Sequence, residues 1–194
     1  MEKKVVLFGT KLPADVNSEH PWLHIIAGSA THTFIAVIDD KTNKLNGYFA
    51  FGPKEGLGIF NEPLEKMDLN HNMYEQDKMI IDEFINGTAA QDDRCKYAVE
   101  FQTVDPQDQE RFDKKVIATG NSYSPLPSTK YRLAPSESDG TVNCNKGSYN
   151  LLKQAGVSKQ LLKAIGERIP GKIWGWGQDM PWTQEEQQKA QEKQ

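Results

Sequence analysis

Apolar and polar positions alternate with period two over several short stretches of the chain, and these stretches predict strands. Val5–Phe8 is a brief apolar run and reads as a first strand. From Thr31 to Ile38, His32, Phe34, Ala36 and Ile38 share one face, while Thr33, Ile35 and Val37 share the other. The β-branched content suits a pleated, packed surface. Asp39-Asp40-Lys41-Thr42-Asn43 is turn chemistry, and Leu45–Phe51 is the returning strand, so a hairpin is expected. Lys96–Val104 gives a further strand through Tyr97, Val99 and Phe101.

Helical periodicity appears in the second half. Asp105 caps a helix with Pro106 at its first position, running over Gln107–Ala118. Cys144, Gly147, Ser148, Leu151, Leu152 and Ala155 fall on one helical face. Asn143 or Thr141 starts that helix and Gly156 ends it. Ser158 opens another over Lys159–Ile169, closed by Pro170-Gly171. Residues 61–94 are mixed and polar, with a short helix over Met79–Ile85, and Asn121–Gly140 reads as a long loop. Thr183–Gln194 has no apolar stripe and is expected to be a solvated helix or a flexible tail. Residues 1–182 therefore form the expected folded domain, and 183–194 an appendage.

The 194 residues carry a net charge of −4, and 37% are hydrophobic. No dense Lys/Arg run exists to contact phosphates, which argues against a nucleic-acid partner. No run approaches the ~18 apolar residues of an integral membrane segment. Val5–Phe8 is too short an apolar core for a signal peptide, which needs roughly 7 to 15 residues. The expectation is a protein made in the cytoplasm and, if it leaves, exported without a cleavable signal.

Two cysteines, Cys95 and Cys144, form no CxxC pair, so a thiolate metal site is not expected. Asp39 and Asp40 lack a third carboxylate, and Gly56-Leu57-Gly58 lacks the rest of a phosphate-binding fingerprint. No cofactor or metal is implied. The tryptophans Trp174, Trp176 and Trp182 either seal a small core or stack on a ligand, the former being the commoner use.

Cys144 stands in the first turn of its helix. Unpaired N–H groups and the helix dipole favour an anion there, which lowers a thiol pKa. The same N–H groups supply part of an oxyanion hole. His32 opens a strand and is placed to act as the base, with His24 in reserve. Taken singly, Cys144 is equally a buried structural thiol and His32 a bonded strand-end histidine. The pairing of the two is what points to chemistry. Cys95 reads as a packing residue, and His20 and His71 as exposed.

Thr31-His32-Thr33-Phe34 opening a hairpin, with Asn143-Cys144-Asn145 opening a helix far downstream, resembles the circularly permuted papain-like cysteine hydrolases. These include YiiX-like enzymes, lecithin:retinol acyltransferase-like proteins and bacterial secretion toxins, and they place the histidine before the cysteine, the reverse of ordinary papain-like and NlpC-type enzymes. The resemblance implies an α+β fold whose antiparallel sheet packs against the helix of the nucleophilic cysteine. It implies Cys144 as nucleophile, His32 as base and a polar orienting residue on the following strand, with Asn46 as first candidate and Asn43 as second. The glutamine such enzymes use six positions before the cysteine is Ser138 here. The implied reaction cleaves an amide or peptide bond, including peptidoglycan peptides, through a thioester. The implied partners are a peptide, muropeptide or lipid acyl substrate and, for an antibacterial type VI-like effector, an immunity protein. A phospholipase or acyltransferase of the same fold and a non-catalytic binding domain are the alternatives.

Overall fold

The computed structural model describes residues 3–11, 30–54, 61–88, 95–103, 105–136 and 140–192. Six strands, β1 (Lys3–Lys11), β2 (Thr31–Asp39), β3 (Lys44–Pro53), β4 (Glu62–Asp68), β5 (Cys95–Phe101) and β6 (Lys130–Tyr131), form one sheet. Its order is β5-β1-β2-β3-β4-β6, and every neighbouring pair is antiparallel. Five helices are described: α1 (Glu75–Ile85), α2 (Pro106–Ser122), α3 (Cys144–Gln154), α4 (Lys159–Gly166) and α5 (Gln184–Gln191). The protein is thus α+β with an antiparallel sheet, and none of these helices is long and apolar enough to cross a membrane.

The alternation along β1, β2 and β3 divides two cores rather than core from solvent. Val5, Leu7, Ile35, Val37, Phe49 and Phe51 pack beneath Leu151 and Leu152 of α3 and Val116 of α2. Val6, Phe8, Phe34, Ala36, Ile38, Tyr48 and Ala50 pack on the other side against Ile80 and Ile81 of α1. Every residue of β2 is buried as a result. Each large apolar side chain placed in these layers is worth about 1.5–3 kcal/mol over its exposed state.

Local signals fix the helix starts. Asp105 accepts from the Gln107 and Asp108 amides, Asn143 from Lys146, and Ser158 from Leu161. Gly156 ends the α3 segment at φ +104, a left-handed conformation that glycine adopts without strain. The turn after β2 also forms as its sequence dictates, with Asp39 Oδ1 accepting from the Lys41 and Thr42 amides.

Several elements differ from the sequence reading. β4 occupies part of the stretch read as mixed and polar, and β6 lies within the expected loop. α2 runs on to Ser122, because Gly120 lets the helix lie against Phe49, whose ring a Cβ would meet at 2.4 Å. α4 stops at Gly166, where the Trp176 indole crosses the helix and donates Nε1–H to the Leu162 carbonyl. The polar C-terminal stretch is helix α5, opened by a Thr183/Glu186 capping box. It docks through a buried amide: Gln187 accepts from the Leu126 amide and the Thr129 hydroxyl, and donates to the Ser124 and Trp182 carbonyls.

Pairing between β2 and β3 ends at Ile35↔Phe49. Beyond it, the start of α3 meets the β2 main chain instead: Ser148 Oγ donates to the Thr33 carbonyl at 3.2 Å, and the Thr33 amide reaches the Cys144 sulfur. Gly147 permits this approach, since a Cβ there would stand 2.3 Å from the Phe51 ring. The helix that carries the thiol is thereby seated where a sheet ladder would otherwise continue.

Candidate active site

Cys144 is the first residue of α3, preceded by its cap Asn143. The amides of Cys144 and Asn145 have no i−4 carbonyl partner within the helix, and the Cys144 amide reaches the Tyr131 hydroxyl. His32 is the second residue of β2 and presents its ring to the α1 side of the sheet. There it stacks on Phe34 and meets Tyr74 edge-on, each at 5.9 Å between ring centroids. The ring and the thiol come together at the sheet end where β2 leaves β3, close enough for each to shift the other's protonation.

The first turn of α1 supplies a third group. Asp77 Oδ2 lies 3.2 Å from His32 Nε2 and accepts the Tyr48 hydroxyl at 2.7 Å. With Nε2 taken by the carboxylate, Nδ1 is left to the thiol. Exposure is 2% for Cys144, 5% for His32 and 2% for Asp77, so any charge in this line is sheltered from water and must be met by a neighbour.

The electrostatics follow from that arrangement. Burial disfavours a charged His32, but Asp77 and Cys144 outweigh it and hold the imidazolium well above its usual range. Burial likewise disfavours the Cys144 thiolate, and His32, the Thr33 amide and the Tyr131 hydroxyl outweigh it, so the thiol lies below its ordinary value. The pair therefore leans toward thiolate and imidazolium. Tyr131, whose Oη is 3.9 Å from the sulfur, is kept neutral by burial and by the neighbouring thiolate. Tyr48 and Tyr74 are also pushed upward by burial, and all three remain hydroxyl donors.

The sequence-predicted residues divide clearly. Cys144 and His32 are brought together. Asn46 is not with them: it sits on β3 beside the irregularity between Val37 and Ile38. That is five to six strand residues from His32, roughly 15–20 Å. Asn43 is in the hairpin turn with φ +52. Asp77 holds the ring position expected of Asn46. Its one sequence signal is an acidic residue sharing the α1 face with Ile80 and Ile81, the helix's other buried residues. Tyr131 was concealed in a stretch read as loop.

His20, His24, Gly56-Leu57-Gly58 and Ser138 lie outside the described residues. His71 is exposed and bonded to Glu65, and Cys95 is half-buried at the start of β5. Trp182 packs with Tyr123 and Phe51, and Trp176 packs on Tyr149, so both aromatic rings serve the core. Among the described residues, no group of three His, Cys, Asp or Glu side chains is arranged to hold a metal ion. Compared with family models, curated proteins and solved structures, the chain matches none.

Proposed function

We propose that the protein is a cysteine hydrolase of the circularly permuted papain-like kind, acting on an amide or peptide bond through a thioester. One observation carries the reading: a buried line of thiol, imidazole and carboxylate in Cys144, His32 and Asp77, with the thiol at a helix start. A structural thiol needs neither a histidine beside it nor a buried carboxylate behind that histidine. The chain order, with the histidine strand before the cysteine helix, and the antiparallel sheet support the permuted assignment.

In the proposed reaction the Cys144 thiolate attacks the carbonyl carbon. The oxyanion is met by the helix-start amides and the Tyr131 hydroxyl. His32 imidazolium gives its proton to the departing amine as the C–N bond breaks, leaving a thioester and a neutral ring. Water then loses a proton to His32 as it attacks the thioester, and the thiol is regenerated with the release of the acid. Asp77 holds the ring in position throughout.

The test is turnover of peptidoglycan-derived peptides and of phospholipid vesicles by the wild type and Cys144→Ala. Amine release from the peptides, lost in C144A, is the expected result. Cleavage of the vesicles alone moves the substrate to lipid esters, and full activity in C144A refutes the nucleophile.

A further inference from the structure

Donors surround the Cys144 sulfur on three sides, but its fourth neighbour is an acceptor. Asn145 Oδ1 lies 3.7 Å from Sγ, and the S–H donates to it. Which end of this amide faces the sulfur is decided elsewhere. Its Nδ2 donates to the Trp174 carbonyl at 3.2 Å, and a carbonyl oxygen accepts only a donor. The opposite amide orientation would set two oxygens against each other. Asn145 is 3% exposed, so water does not relieve the choice.

The same carbonyl also accepts from Asn143 Nδ2 at 2.7 Å. The segment around it is anchored at both ends. Thr31 bonds the Pro170 and Lys172 carbonyls beside the histidine strand, and Asn150 donates to the Gln178 carbonyl and accepts from the Met180 amide on α3. Residues 170–180 form a strap across the starts of β2 and α3. Gly175 lets it pass, since a Cβ there would lie 2.7 Å from Asn143 Oδ1.

We propose that Asn145 is a positioning residue that opposes the Cys144 thiolate against the pull of His32, with its amide oriented by the strap carbonyl of Trp174. An oxygen dipole fixed against the sulfur favours S–H over S⁻, and competes with His32 for the same proton. Thiolate formation then depends on how firmly the strap grips the amide. A substrate that draws the Trp174 carbonyl away frees the amide to turn its N–H₂ toward the sulfur, which favours the anion instead. The proposal rests on the reading of Cys144 as an activated nucleophile.

The test is a thiolate titration by ultraviolet absorbance in full-length protein carrying Cys95→Ser, so that a single thiol reports. Asn145→Leu removes the oxygen while keeping the shape, and Asn143 still holds the strap. The Cys144 midpoint is expected to fall by about one unit, roughly a tenfold gain in thiolate below the midpoint. An unmoved or raised midpoint in a folded variant overturns the proposal. Asn145→Ala gives the same sign if the leucine does not fold. The high-pH limit of the iodoacetamide rate must stay at the wild-type value; a rise in that limit assigns the shift to opening of the site and also overturns the proposal. His32→Asn separates the two ideas. If it leaves the midpoint where the wild type has it, at an ordinary thiol value, the nucleophile reading fails. A normal His32 effect with an unmoved N145L sinks the Asn145 role alone.

Discussion

Asp77→Asn is the perturbation that speaks most directly to how the site works. The substitution keeps shape and hydrogen-bonding capacity but removes the negative charge 3.2 Å from His32 Nε2. At an effective dielectric of ~20 a charge pair at that separation is worth roughly 5 kcal/mol. The desolvation of the carboxylate, relieved in the variant, offsets part of this. Opposite charges at such range shift a pKa by about one to three units, or ~1.4–4 kcal/mol. The His32 midpoint should fall by that amount. In the double variant Asp77→Asn/Cys144→Ala both groups that raise it are gone, only burial remains, and the midpoint should drop below the ordinary 6.5. The assay is a ring-proton NMR titration of the protein's four histidines, with the His32 signal assigned by its loss in His32→Asn. The sign of the stability effect follows from the raised native midpoint. The ion pair's contribution is complete below the unfolded value and is lost as pH rises through the folded one. The D77N deficit in unfolding free energy should therefore be largest near pH ~6 and shrink in alkali. A His32 midpoint within a few tenths of a unit of the wild type would refute the carboxylate's part in holding the imidazolium.

Tyr131→Phe removes a hydroxyl donor at the sulfur and should lower turnover by about 10²–10³-fold with little change in thermal stability; equal turnover removes Tyr131 from the oxyanion site. Turnover against pH should be bell-shaped, rising through a Cys144 midpoint below its ordinary value and falling through a His32 midpoint well above 6.5; a limb that follows neither the ultraviolet titration of Cys144 nor the NMR titration of His32 breaks the assignment. Gly147→Ala drives a methyl to 2.3 Å from the Phe51 ring and should cost about 1–3 kcal/mol in chemical denaturation, with a slower Cys144 alkylation as α3 is lifted from β2. Gln187→Ala leaves the Trp182 carbonyl and the Leu126 amide without their partner and should destabilise by about 1–3 kcal/mol; an unchanged melt would show that this amide adds nothing to the fold.

What the sequence showed and what it hid can be traced to the range of each signal. The hairpin, the α2 and α3 starts and the Gly156 stop are local, written in caps, turns and alternation within a few residues of one another. Cys144 and His32 were legible because each sits at such a local feature. β4 was missed because its buried residues, Leu64 and Met67, are three apart, which is a helical interval rather than a strand one. The 183–194 stretch holds the largely solvated helix expected of it, and only its docking was hidden, because Gln187, its one buried residue, leaves no apolar mark in the sequence. Asn46 was favoured as the orienting residue because it lies on the strand after the histidine. That choice treats neighbouring strands as neighbouring sites. The actual register sets Asn46 opposite the other end of β2. The ring is met instead across the sheet face, by a helix separated from β2 by two further strands.

This location of Asp77 has a consequence for how the site is assembled. The thiol arrives from the α3 side of the sheet and the carboxylate from the α1 side, and His32 is where the two layers meet. Such a meeting is possible only where the sheet stops pairing, because a continuous β2–β3 ladder would separate the two faces. The ladder does stop at Ile35↔Phe49, and the groups it leaves at Thr33 are taken by Cys144 and Ser148 rather than left unbonded. Glycines mark both sides of that gap. Gly147 brings α3 down onto Phe51, and Gly52, where a Cβ would fall 2.0 Å from the Tyr74 hydroxyl, admits the residue that leads into α1. Side chains at either position would push one layer away and separate sulfur, ring and carboxylate. The break in strand pairing and the meeting of sulfur, ring and carboxylate are therefore one structural feature.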